Sequence, residues 1–274
     1  MTAAVTRIRV HGVDLHVERC GETGPVVVLA HGLMGSVALS SRFGDRPEAL
    51  AARGLRVVAY DARGHGRSAG TRESADYRWS QHARDLAALI EALGLAPASV
   101  CGGSMGAGAA LLVAMDRPEL VDRLVLRAPP PFGRDLRAAR RLLLPLAALY
   151  AWLGSERTAR LVTLLPPARR AQRERPENDL RSFFAAQRRE TIVPAIRGLL
   201  GERDPIPVAR LSSVPHETLV LAHPNDPIHP LASADALIER LPHARAVTAP
   251  DARWYAANPG AVTDLVADFL LARR

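Results

Sequence analysis

Residues Val100-Cys101-Gly102-Gly103-Ser104-Met105-Gly106-Ala107-Gly108 constrain the fold more than any other stretch of the chain. Ala98 to Cys101 reads as a buried strand, and Ala107 to Met115 as an apolar helix. Between them, Gly102-x-Ser104-x-Gly106 has the G-x-S-x-G pattern of a nucleophile elbow. Strand and helix pass closely at such a turn, and side chains two residues either side of the serine would collide there. The serine backbone is strained, and its hydroxyl is pushed out above the sheet. The chain has 20 glycines in 274 residues, enough to match so short a pattern by chance, so the flanking strand and helix carry the weight. A serine used in this way also needs a base, an acid that orients the base, and donors for developing negative charge.

The same alternation repeats along the chain. Arg7 to Val10 and Leu15 to Glu18 alternate apolar and polar residues around His11-Gly12-Val13-Asp14, which predicts an antiparallel hairpin. Val26 to Ala30, Leu55 to Tyr60, Val121 to Arg127 and Thr218 to Ala222 are apolar runs of the kind found in strands covered on both faces. Ala244 to Thr248 reads as a short last strand. Helical periodicity predicts helices over Pro47 to Gly54, Trp79 to Gly94, Leu231 to Leu241 and Gly260 to Leu271. A hairpin followed by strand–helix units predicts an α/β fold with a mostly parallel, doubly wound sheet. Ligands of such sheets sit at the carboxyl ends of the strands. His31-Gly32, Asp61 to Ser68, Ser104 and Asp226 all fall there.

From Phe132 to about Pro205 the pattern changes to Ala-, Leu- and Arg-rich helix, with 15 arginines against eight acids. Pro166-Pro167 and Pro176 divide it into short helices. The expected organisation is a core of residues 1–131 and 206–274 with a helical cap, 132–205, inserted between sheet strands. Leu142 to Leu153 would line the inner side of that cap over an apolar pocket. Its alternative use is docking to a partner or membrane.

Together these residues resemble the α/β-hydrolase family. The motifs occur in the family's order: His31-Gly32-Leu33-Met34-Gly35, Asp61-Ala62-Arg63-Gly64-His65-Gly66-Arg67-Ser68, Gly102-Gly103-Ser104-Met105-Gly106 and Asn225-Asp226-Pro227-Ile228-His229-Pro230. The resemblance is to a capped, serine-type member. The dehalogenase and epoxide-hydrolase branches carry Asp where this chain has Ser104. The resemblance implies Ser104 as nucleophile, Asp226 as acid, and the backbone N–H groups of Leu33 and Met105 as oxyanion hole. Asp226 would otherwise cap the Pro227 turn. His31 and the Asp61 to Ser68 loop are expected to be scaffold.

The chain departs from the family at the base. The family's histidine belongs between the last strand and last helix, where this chain reads Ala249-Pro250-Asp251-Ala252-Arg253-Trp254-Tyr255-Ala256-Ala257-Asn258-Pro259. Aligned from either side, the histidine position falls on Ala252 or Trp254, and neither side chain accepts a proton. Three explanations stand: an engineered loop, a base supplied by His229, His223 or His243, or a fold put to another reaction. The expected function is an enzyme acting on an apolar ester, thioester or lactone through Ser104, with hydrolysis impaired. The alternatives are a non-hydrolytic isomerase, epimerase or cyclase of a specialised-metabolite pathway, and a non-catalytic ligand-binding protein.

Composition narrows the partners. The net charge is +8, yet every basic residue is arginine and no aromatic-interleaved basic strip appears, so nucleic acid is not an expected partner. A small-molecule substrate is expected, with no membrane partner and no cofactor. Gly102 to Gly108 lacks dinucleotide-binding spacing, lysine is absent, and the histidines and cysteines do not cluster at metal-ligand spacing. Cys20 and Cys101 imply no disulfide framework, which fits a reducing cytoplasm.

Overall fold

The computed structural model describes residues 4–39, 46–132, 136–166, 168–169, 179–201 and 205–272. Its strands are β1 (Ala4–Val10), β2 (Val13–Cys20), β3 (Val26–Ala30), β4 (Arg56–Tyr60), β5 (Ala98–Gly103), β6 (Val121–Arg127), β7 (Thr218–Ala222) and β8 (Ala244–Thr248). They form one sheet in the order β1-β2-β4-β3-β5-β6-β7-β8. The β1–β2 and β2–β4 pairs are antiparallel and the remaining pairs parallel. This is the expected α/β architecture. The hairpin turn is tighter than the sequence reading, because Val13 and Asp14 belong to β2 and Val10 pairs directly with Val13. His11 and Gly12 alone turn the chain, both at positive φ (40° and 80°), the geometry that suits the twist of a two-residue hairpin.

Alternation along the strands fills two apolar layers. Val26, Val28 and Ala30 of β3 face helices α2 (Trp79–Ala92) and α3 (Met105–Asp116), with Leu86, Leu89 and Leu111 fully buried. Val27 and Leu29 face the opposite layer, with Leu50 of α1 (Pro47–Ala52) and Val262, Val266 and Phe269 of the C-terminal helix, Pro259–Leu271. Each fully buried Leu contributes about 1.5–3 kcal/mol. A sheet covered on both faces leaves the strand ends as the place where polar side chains can converge.

Helical elements lie between β6 and β7, where the cap was expected. They are α4 (Arg137–Leu164), α5 (Leu180–Ala185) and α6 (Arg189–Leu199). The break within α4 is not at a proline: Pro145 lies inside the helix, whereas Gly154 departs from helical geometry (φ 74°, ψ 178°). Pro167 and Pro176, expected to divide the region, lie outside the described residues. Met34, Leu136, Ala139, Ala147, Tyr150, Ile192 and Ile196 form a third apolar cluster under these helices. Polar ties hold it down. Thr191 Oγ1 donates to the Gly64 carbonyl (2.6 Å), Trp79 Nε1 to Leu199 (3.0 Å), and Gln187 Nε2 to Met34 (3.0 Å).

Three buried histidines lie behind the loops at the strand ends. The His31 and His65 rings are 5.3 Å apart and those of His65 and His82 6.5 Å. Burial pushes His82 down to about 4, and burial together with neighbouring His31 pushes His65 well below the ordinary range. The unfolded chain therefore takes up protons below pH 6.5 that the folded chain refuses. Stability is complete above pH 6.5 and is lost as pH falls toward 4, by on the order of 3 kcal/mol for His82. Thermal midpoints measured from pH 7 to pH 4.5 should fall, and His82→Leu should flatten that fall. An unchanged pH profile in His82→Leu would assign the acid sensitivity elsewhere.

Candidate active site

The site grows from the turn between β5 and α3. Ser104 has φ 48° and ψ −106°, backbone that a non-glycine residue rarely adopts. The surroundings fix it there. Ser104 N–H donates to the Arg127 carbonyl (2.9 Å), and its own carbonyl accepts the N–H of Gly108 (3.0 Å). A Cβ at Gly102 would stand 2.5 Å from the Gly106 carbonyl oxygen, and one at Gly106 would run into the Ala30 carbonyl. Both glycines are thus required by the close passage of strand and helix.

Opposite the serine, β7 ends at Ala222 and the chain turns through His223-Pro224-Asn225-Asp226-Pro227-Ile228-His229. Asp226 organises this turn with both carboxylate oxygens. Oδ1 accepts the backbone N–H groups of Ile228 (2.8 Å) and His229 (3.0 Å), and Oδ2 lies 2.9 Å from His229 Nδ1. The two roles that the sequence offered as alternatives, turn cap and partner of a base, are held by one side chain. Because the carboxylate only accepts, Nδ1 carries the proton, and the lone pair of His229 Nε2 faces outward. That nitrogen is 2.8 Å from Ser104 Oγ, so the hydroxyl donates to it. Burial alone would raise the Asp226 pKa. The hydrogen bond and charge of His229, with the two backbone donors, outweigh it and hold the acid at about 2.

His223 approaches the same carboxylate at 3.5 Å, but its Nδ1 is engaged with the Pro224 carbonyl (3.0 Å). His243 lies at the wrong end of the sheet, since its carbonyl accepts the N–H of Thr218, the first residue of β7. His31 and Asp61 serve the scaffold. His31 Nδ1 donates to the Gly32 carbonyl (2.7 Å) while Nε2 accepts the Ala62 N–H (2.9 Å). Asp61 accepts the N–H groups of Val37 (2.6 Å) and Arg67 (2.7 Å). These bonds fold the Gly32-Leu33-Met34 loop against the serine, where a Cβ on Gly32 would stand 3.3 Å from Ser104 Cβ. Leu33 thereby comes to the same strand ends. Met105 follows Ser104 directly as the first residue of α3, where helical N–H groups have no partner within the helix.

The segment expected to carry the family's histidine is not a plain loop. Residues Ala252–Ala257 form a short helix. Asp251 Oδ1 accepts the Trp254 N–H (3.0 Å), as an N-cap does, and Tyr255 donates from its hydroxyl to the Ala222 carbonyl (2.8 Å). Trp254 stands edge-on to Tyr255 and packs on the apolar layer beside the C-terminal helix. The Ala252 side chain lies outside those described. Trp254, at one of the two positions where the family's spacing would put the base, packs instead, and of the three histidines offered as substitutes it is His229 that lies in hydrogen-bond reach of Ser104. A signal existed in Asp251 followed by Ala-Arg-Trp-Tyr-Ala-Ala, a capping residue ahead of helix-compatible residues. Among the described residues no group of three or more His, Cys, Asp or Glu is placed to hold a metal ion.

Comparison with known proteins places this geometry. Residues 25–254 match the family model described as alpha/beta hydrolase fold. A Caulobacter vibrioides protein provisionally named carbamate hydrolase RutD is 32% identical over 253 residues, 87% of this chain and 88% of that protein. The mouse sn-1-specific diacylglycerol lipase ABHD11 is 39% identical over 112 residues, a match spanning 40% of this chain and only 34% of the mouse protein. Among solved structures, the enol-lactonase of Burkholderia xenovorans LB400 superposes with a TM-score of 0.82 at 23% identity, over 97% of this chain and 100% of that one. An elbow serine at the carboxyl edge of a mostly parallel sheet, within a family match over most of the chain, makes this protein a member of the alpha/beta-hydrolase family of enzymes.

Proposed function

We propose that the protein hydrolyses a carboxylic ester, thioester or lactone bond of an apolar small molecule, with Ser104 as nucleophile, His229 as general base and Asp226 as the orienting acid. The observation that carries this reading is the unbroken relay from Ser104 Oγ to His229 Nε2 (2.8 Å) and from His229 Nδ1 to Asp226 Oδ2 (2.9 Å). In the first step Oγ attacks the carbonyl carbon while Nε2 takes its proton. The N–H groups of Leu33 and Met105 receive the oxyanion, a contribution of about 2.7–4 kcal/mol per donor in comparable sites. The imidazolium returns the proton to the leaving oxygen or sulfur, and water then reverses the sequence on the acyl-enzyme.

The relatives' names, carbamate hydrolase, enol-lactonase and diacylglycerol lipase, all denote attack on an acyl carbonyl, which supports the same class. The expectation of impaired hydrolysis rested on the want of a base, and His229 removes that ground. No separate observation favours the isomerase, cyclase or binding-only alternatives. A reducing, cytoplasmic setting belongs to the same proposal and suits two buried cysteines, Cys20 and Cys101.

A fluorophosphonate probe tests the reading directly. Wild-type protein should be labelled on Ser104 at a rate typical of serine hydrolases, with no labelling in Ser104→Ala. Folded wild-type protein that resists the probe would overturn it.

A further inference from the structure

We infer that the outer face of the cap docks on an anionic lipid bilayer. The sequence reading expected no membrane partner and had Leu142 to Leu153 line the inner side of the cap, with docking to a partner or membrane as that segment's alternative use; the structure divides the segment between two faces. Tyr150 and Ala147 are buried in the cluster beneath the cap. Leu142, Leu144, Pro145, Ala148 and Trp152 are exposed, with Trp152 at 83% and Leu142 at 50%. No charged residue occurs between Arg141 and Glu156, so this stretch of the helix is apolar on both its buried and its exposed sides. A solvent-facing helix surface ordinarily carries polar residues, and an apolar patch of this kind marks a docking site. Beyond Gly154 the second half of α4 also exposes Leu161 and Leu164, at 42% and 57%.

Charge selects the occupant. Exposed Arg137 and Arg141 flank the apolar stretch at one end, and exposed Arg157 flanks it at the other. The one acid in α4, Glu156, is already held by Arg160 and Arg181. A second copy of this chain would bring the same arginines together, on a protein of net charge +8. An anionic headgroup layer matches both features, pairing with the arginines while Trp152 and the leucines enter the interface, where tryptophan is enriched. Among the described residues no helix is long and apolar enough to cross a membrane, so the contact is peripheral. It also lies on the cap that covers the catalytic strand ends.

The test uses the full-length protein with vesicles of phosphatidylcholine alone and of phosphatidylcholine mixed equally with phosphatidylglycerol. Binding to the mixed vesicles should exceed binding to phosphatidylcholine by at least about tenfold, weaken as salt is raised, and shift tryptophan emission to the blue. The double substitution Leu144→Glu, Trp152→Glu should abolish binding and the shift, with turnover of a water-soluble ester unchanged. Arg141→Gln with Arg157→Gln, which leaves the apolar face intact, should lower binding to the anionic vesicles about tenfold. No vesicle binding, equal binding to both vesicles, or a dimer in sedimentation that Leu144→Glu dissociates would each overturn the inference.

Discussion

Replacing His229 with glutamine is expected to lower kcat for a p-nitrophenyl ester by about 10⁴- to 10⁶-fold, with KM changed little, because members of such a relay act as a unit. Glutamine keeps roughly the size and polarity of the side chain but cannot take the serine proton. His223→Gln is the matched control. That ring also approaches Asp226, yet at 3.5 Å and with Nδ1 committed to the Pro224 carbonyl, whereas His229 Nε2 lies 2.8 Å from Ser104 Oγ. Its loss should cost less than about tenfold, since it neither holds nor receives the proton in flight. A large fall in His223→Gln with a small one in His229→Gln would exchange the two roles. Equal activity in all three proteins would refute the relay itself.

Much of this site was legible because strand ends announce themselves. Val26 to Ala30, Val121 to Arg127, Thr218 to Ala222 and Ala244 to Thr248 have the bounds that their apolar patterns suggested, and the residues after each strand fall at one edge of the sheet. The elbow glycines were readable for a local reason, namely that backbone crowding at Gly102 and Gly106 is decided within a few residues. The base was harder. Spacing from the family's last strand led to Ala252 and Trp254, because a loop's sequence does not record which side chain from another loop reaches the serine. His229 stood out only as one of several histidines, and its role depends on a tertiary distance. Asp226 and His229 are three residues apart in one turn, and Asp226 itself makes that turn through the N–H groups of Ile228 and His229. Acid and base are thus set relative to each other locally, and β5 and β7 need only bring the pair to the elbow. Within the cap region the expected divisions were prolines, Pro166-Pro167 and Pro176, whereas Gly154, a residue the pattern did not single out, supplies the positive φ at which the axis of α4 changes.

The double duty of Asp226 gives the last prediction. Asp226→Asn should lower kcat by about 10⁴-fold while leaving the fold intact. Asparagine has one carbonyl oxygen where aspartate has two acceptors. That oxygen can cap the turn, taking the N–H groups of Ile228 and His229 as Oδ1 does now, or it can accept from His229 Nδ1. Capping satisfies two backbone donors, so it wins, and the asparagine NH₂ then faces Nδ1. A donor there forces the imidazole proton onto Nε2, and the nitrogen that should receive the serine proton already carries one. The thermal midpoint should shift little, because the turn survives. Asp226→Ala lacks both functions and should lose about 1 kcal/mol of stability as well as activity, as the turn's N–H groups lose their acceptor. The wild-type carboxylate, held at about 2 against an ordinary 3.8, keeps this arrangement charged in mild acid. Its contribution to stability is complete above pH 3.8 and is lost only as the pH falls through about 2. Retained activity in Asp226→Asn would mean that the tautomer of His229 is fixed by some other group, and the turn would then be a cap with no part in the chemistry.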